Sequence, residues 1–519
     1  HDDSSEPMTD NSSARRGLPR RSFIRGACAS ACGFVTGVAR SASTPARSSA
    51  RRTRAHGVAA VAPVGGVLEL FMYGGLCPWD TFYCVPSWGQ DSQRYLHAFD
   101  LNSALAACCP PALLEMFEPG QVPTRAFGYD GSGTPIHLGP WTWPLWSRPD
   151  ILSRMRVVVT AHDQFPHATA IPLALTGFRL GSPELTGMGA LVEGLAGGES
   201  LLPRSAVIRS GREPVTDNLA ATLAVGPHRD AARPLDLNLA NVPLLYGLLE
   251  RPATQGRTHA HDALIELSRK AYRSRLQGSA SSLRAPALDA FDRSDARRAA
   301  AGELSSLLPP SLFGLPLASS CGETRVSVPK LAARVASHLL TREADQRSRY
   351  VLWVDDGLRP TLDGGHDTHR EHLLHASVNY PHTLQTLADR INRPGELDPD
   401  KIDLDDTLIA ITSEFGRTPQ VEDDRQGLGH WPHGYVNVLI GGKAPAASGP
   451  ESGALVGAID GATGLASEYC TPTELRMALL LALGYDPMLV DGWGASSVRG
   501  ANNDVEALAR LAGILGVPT

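Results

Sequence analysis

Short, almost wholly apolar runs alternate with segments of helical pattern along most of this chain. The runs at 66–73 (GVLELFMY), 155–160 (MRVVVT), 350–354 (YVLWV), 407–412 (TLIAIT) and 435–440 (YVNVLI) are five to eight residues long. Strands buried on both faces read this way, because neither side-chain direction meets water. Residues 205–208 and 222–225 are weaker strand candidates. Helical pattern fills 168–176, closed by Gly177, then 331–340, 372–391 and 473–483, the last with Pro472 at its start. This alternation predicts an α/β fold with a mostly parallel central sheet covered by helices on both faces. Residues 258–308, rich in Ala, Arg, Leu and Ser, predict a helical elaboration beside the sheet that becomes irregular towards 325. No internal repeat is visible.

The chain has 519 residues, 42% of them hydrophobic, which is ample for the core of a large domain. A net charge of −6 gives no reason to expect nucleic acid as a partner. No apolar run reaches 18 residues, so no transmembrane segment is expected. The N-terminal region differs from the rest. Pro19-Arg20-Arg21-Ser22-Phe23-Ile24-Arg25, followed by a mildly apolar stretch at 26–39, matches the twin-arginine export pattern. Residues 1–42 are therefore expected to be a signal peptide with upstream residues, starting at Met8. Residues 43–63, rich in Ser, Ala and Arg, read as a flexible linker, and 64–519 as the folded domain. The expected location is periplasmic or extracellular. Disulfides are permissible there, but the pairing of Cys77, Cys84, Cys108, Cys109, Cys321 and Cys470 is open.

Candidate chemistry gathers at the ends of the predicted strands. Asp80 and Thr81 follow the first run and its Gly74-Gly75 turn. Asp367 and His369 follow Gly364-Gly365. Glu414 comes just after 407–412, and Arg417 three residues later. His430 and His433 flank Trp431-Pro432 before the next strand. Seven of the 17 His residues lie between His366 and His433. Open α/β sheets place their sites at strand ends, and imidazole with carboxylate suits zinc and other divalent ions. Plainer alternatives remain open for each: an Asp-His pair in a solvated loop, a Glu414–Arg417 ion pair, a structural histidine. Arg417 could equally hold an anionic substrate bidentately. His372 and His375 follow His369 at helical spacing and read as outer or surface residues.

GGLCPWDTF (74–82), HDQFPHATAIPLALTG (162–177), GGHDTH (364–369), TSEFGRTP (412–419) and GHWPHG (429–434) occur here in a fixed order. In this the chain resembles, over roughly 64–490, the bacterial family called domain of unknown function 1501. Its members are twin-arginine exported and placed near the alkaline phosphatase and sulfatase superfamily. The resemblance implies an alkaline-phosphatase-like three-layer α/β/α sandwich. It implies a divalent metal ion (zinc, manganese or calcium) held by Asp80, Asp367, His369, Glu414 and His430. His167 falls on the nucleophile position, Thr81 is the other candidate, and Arg417 would clamp the anion. The implied activity is metal-dependent hydrolysis of phosphate or sulfate esters, small or polymeric. Four departures stand against this: Phe415 replaces a superfamily His, His366 a Trp and Gly429 an Asp, and no hydroxyl or thiol falls at position 167. They keep open a non-catalytic periplasmic or surface binding protein on the same scaffold.

Overall fold

Leu68, Leu70 and Met72 face one core along the strand Gly66–Met72 (β1), while Val67 and Phe71 face a second core on the other side. All seven residues of this strand are buried. Period-two alternation with apolar residues in both directions is what a central strand between two helical layers requires. The other strands of the sheet are Met155–Thr160 (β2), Ser205–Arg209 (β3), Leu235–Asn238 (β4), Tyr350–Asp355 (β5), Thr407–Thr412 (β6), Tyr435–Gly441 (β7) and Ala454–Val456 (β8). Their order is β8-β2-β7-β6-β1-β5-β3-β4. In register, Leu70 lies between Trp353 and Ile411. Only the β7 pairings, with β2 and β6, are antiparallel; the remaining ladders in this sheet are parallel.

The structure is a computed structural model. It describes residues 61–88, 95, 122–196, 203–209, 216–228, 231–239, 242, 259–278, 307–313, 328–358, 366–422, 426–442 and 453–517. The expected signal peptide and most of the expected linker lie outside these residues, as do Gly364-Gly365, Cys108, Cys109 and Cys321.

Helices cover both faces. Val328–Thr341 and His372–Ala388 pack on the face of Leu68 and Leu70. His167–Thr176 (α1), Met188–Ala196, Pro472–Ala482 and Asp504–Ile514 pack on the face of Val67 and Phe71. The three-layer α/β/α architecture with a mostly parallel sheet is therefore present. Part of the predicted elaboration is a helix at His259–Gly278. Among the described residues no helix is long and apolar enough to cross a membrane.

Two local expectations change. Residues 222–225 are not a strand: Thr216–Leu223 is a 3-10 helix in which the Thr222 hydroxyl donates to Leu219 O at 2.6 Å. A polar side chain that can bond back to its own turn competes with the sheet ladder. Glu69 interrupts the apolar pattern of β1, yet it is fully buried. Its carboxylate accepts both guanidinium arms of Arg476, the Tyr350 hydroxyl at 2.5 Å and the Thr412 hydroxyl at 2.6 Å. Four donors make its burial tolerable.

Candidate functional site

Strand β7 runs against its neighbours, so it begins at the edge where β1, β2, β5 and β6 end. His430 just before β7 and Glu414 just after β6 therefore meet at one edge, together with His167 beyond β2 and Asp367 beyond β5. A two-residue ribbon sharpens the placement by pairing His430 with Arg417 and Trp431 with Gly416. The Asp367 loop is drawn in by His366 N–H, which donates to Tyr73 O at 2.8 Å. Gly74 permits this approach. Its φ is +111°, and a Cβ there would collide with the Asp367 backbone.

Asp367 is the hub. Its Oδ1 lies 3.2 Å from His369 Nε2 and 3.5 Å from His430 Nε2, and the two imidazole nitrogens are 2.9 Å apart. Its Oδ2 is 3.2 Å from His167 Nε2. The other His167 nitrogen, Nδ1, is 2.8 Å from Glu414 Oε1, which also accepts Gly74 N–H at 2.9 Å. Among the described residues, no group hydrogen-bonds the buried Glu414 Oε2. The carboxylates form the floor: Asp367 and Glu414 side chains are 3% and 0% exposed, against 18% for His167, 32% for His369 and 19% for His430.

These atoms fit a divalent cation. Ligand atoms 2.0–2.1 Å from a tetrahedral ion lie roughly 3.3 Å from one another. The Asp367–His369–His430 triangle has sides of 2.9, 3.2 and 3.5 Å. His167, Asp367 and His430 likewise offer donor atoms that all fall within 4.8 Å of one another. The orphaned Glu414 oxygen adds an acceptor that a cation would satisfy.

The electrostatics also favour positive charge here. Burial opposes charge on His167, but its hydrogen bonds to Asp367 and Glu414 outweigh burial and raise its pKa to about 9. Burial would raise Asp367, yet Arg417, His167 and His430 hold it well below the usual carboxylate range. Burial lowers His430. His162 is pushed down to about 4, mainly by burial. Its Nδ1 accepts Gln164 N–H at 3.0 Å, so Nε2 donates to Glu414 O at 2.6 Å and fixes that residue's backbone.

The remaining expected site residues stand elsewhere. Asp80 is apart from this group: its Oδ2 accepts from Trp141 Nε1 at 2.8 Å and faces His372 Nε2 at 2.7 Å. His372 is thus fully buried rather than a surface residue, while His375 is half-buried near Glu371. Thr81 is buried and its hydroxyl donates to Cys77 O, so it is not presented as a nucleophile. Arg417 is fully buried. It donates to Leu428 O at 3.0 Å, to Gly74 O and to Asp367 Oδ1, so it braces Asp367 from behind instead of reaching for a substrate. Cys77 and Cys84 are free thiols.

The departures noted in the sequence have physical partners. Phe415 stacks on His430 at 4.1 Å and lies 5.0 Å from His167, forming an apolar wall. His366 stacks on Tyr380 and faces Asp355 Oδ2 at 2.9 Å. A side chain at Gly429 would run into the Glu422 carboxylate, whose Oε2 lies 4.0 Å from His369 Nδ1.

The family model described as protein of unknown function (DUF1501) matches residues 66–508, a span that contains every residue of this cluster. The chain belongs to that family. No curated protein matches it. The DUF1501 match covers the whole sheet, from β1 to β8, and the helices on both of its faces except the C-terminal part of Asp504–Ile514.

Proposed function

We propose that the protein is an exported, metal-dependent hydrolase of phosphate or sulfate esters with an alkaline-phosphatase-like site. The observation that carries this reading is the Asp367–His369–His430 triangle, backed by the buried Glu414 carboxylate, at the strand ends of an α/β sheet. A divalent ion there would polarise an ester oxygen and offset developing charge. The protein's own groups supply the rest. Glu414 and Asp367 hold the two His167 nitrogens; a divalent ion on Asp367 would favour the neutral imidazole and free Nε2 to accept a proton from an attacking water. Arg417 fixes Asp367. Phe415 shields one side of the imidazoles from solvent. With His167 neutral, the charges of Asp367, Glu414, Arg417 and a divalent ion sum to +1, which attracts an anionic ester. The twin-arginine pattern supports export of the folded, loaded protein.

The test is turnover of aryl phosphates and aryl sulfates by zinc- or manganese-loaded protein. Activity above that of His369→Ala supports the reading, and equality with that variant contradicts it. One observation favours a second reading, a binding protein on the same scaffold: neither the Thr81 hydroxyl nor the Arg417 guanidinium is presented to solvent. Metal-dependent binding of phosphate or sulfate without turnover would support that reading.

A further inference from the structure

Asp80 is the expected ligand that the first centre leaves out, and its surroundings form a cluster of their own. Cys77, Asp80 and His372 are all buried, and their ligand atoms lie within 4.8 Å of one another. We propose that these three side chains form a second, fully buried site for a zinc-class transition-metal ion.

Three observations carry this. First, the donor set of thiol, carboxylate and imidazole suits zinc or cobalt and does not suit calcium or magnesium. With the thiol ionised, thiolate and carboxylate balance one divalent charge, so the buried site is neutral when filled. Second, Asp80 is 2% exposed, and among the described residues no N–H or O–H donor reaches its Oδ1, the Cys77 thiol being the group that faces this carboxylate. A buried, unsatisfied carboxylate oxygen calls for an ion or a water. A cavity of about 10 Å³ lined by Cys77, Asp80 and His372 adjoins it, room for roughly one such occupant.

Third, the outer partners a metal site needs are already in place. His372 Nδ1 lies 2.7 Å from the Thr368 hydroxyl, which fixes the ring, and its Nε2 lies 2.7 Å from Asp80 Oδ2, a contact that an ion between the two would replace. Trp141 Nε1 donates to Asp80 Oδ2 at 2.8 Å and orients the carboxylate. Cys77 N–H donates to the Tyr380 hydroxyl at 3.1 Å, and that hydroxyl donates to Gly75 O at 3.0 Å, pinning the loop that carries the thiol. Thr368 stands between Asp367 and His369, so an ion held by His372 would also position the first centre. Because the cluster is buried, the ion enters as the chain folds and leaves slowly to chelators.

The experiment is cobalt(II) loading of the full chain during refolding, read by near-ultraviolet absorption and by metal content. A cobalt–thiolate bond gives a ligand-to-metal charge-transfer band, whereas the Asp/His centre gives only weak ligand-field bands. The expected result is two equivalents of cobalt with the band present. Cys77→Ser should lose the band; His430→Ala should lose an equivalent and keep the band. Cobalt bound by the wild-type chain without the band, or a band that survives in Cys77→Ser, overturns the proposal while leaving the first centre standing. A band without the ligand-field signal that His430→Ala removes supports this site and counts against the first centre. Slow release to a chelator is expected for the thiolate-bound ion only, and equal release of both overturns its placement in the buried cluster.

Discussion

His167 Nδ1 and Glu414 Oε1 lie 2.8 Å apart although 247 residues separate them along the chain. The contact joins the first turn of α1 to the segment just beyond β6, and together with the Asp367 contact it raises the His167 pKa. Glu414→Gln keeps the shape and removes the charge. The pKa of His167 should then fall from about 9 by at least about one unit, since a single close carboxylate moves a neighbour by about 1–3 units. A histidine NMR titration of metal-free protein checks this. An unchanged value would mean that Asp367 alone sets it.

Removing an imidazole from the triangle should cost metal affinity. His369→Ala and His430→Ala are each expected to weaken zinc binding at least about 100-fold by calorimetry, the upper end of what outer-shell losses alone produce. His433→Ala, whose ring packs on Phe165 and Trp431, should change it little.

The metal-free protein should have a stability optimum near pH 6.5. The folded pKa of His167, about 9, is above its ordinary 6.5. Its contribution is complete below 6.5 and is lost as pH rises through 9. His162 has the opposite sign. Its folded pKa of about 4 lies below 6.5, so the unfolded chain takes the proton first and stability falls as pH drops from 6.5 towards 4. Each limb has a limiting slope of about 1.4 kcal/mol per pH unit. Urea midpoints across pH, for chelator-treated wild type and His162→Gln, measure this. The variant should have a shallower acidic limb between 6.5 and 4, the rest coming from His430, His137, His338 and His382, which burial also lowers, and should keep the alkaline limb.

Arg476→Met tests the buried pair that the apolar pattern concealed. Glu69 would be left buried with only two hydroxyl donors, and loss of one partner of such a pair costs about 3–5 kcal/mol. Urea denaturation should show that loss, while zinc affinity at the first centre stays near wild type.

These contrasts show what the sequence disclosed and what it hid. β1, β2, β5, β6 and β7 were legible because their residues are buried on both faces and the pattern is continuous. Asp367, His369, Glu414 and His430 were legible as polar groups at strand ends, and the antiparallel course of β7 brings His430 to the others. The partners were not legible. Arg417 is three residues from Glu414 yet pairs with Asp367, because the short ribbon after Phe415 turns its side chain inward. Asp80 follows β1 in the chain, but Trp141 and His372 take its carboxylate. Such pairings depend on loop paths that no local periodicity encodes. Glu69 interrupts the apolar run of β1, and nothing near it in the chain accounts for it because Arg476 lies 407 residues away.

The most direct measurement is anomalous diffraction from crystals of the zinc-loaded chain. The account predicts a peak within about 2.0–2.3 Å of Asp367 Oδ1, His369 Nε2 and His430 Nε2. Zinc-loaded crystals with no peak there, and with the two imidazoles still 2.9 Å apart, would contradict it.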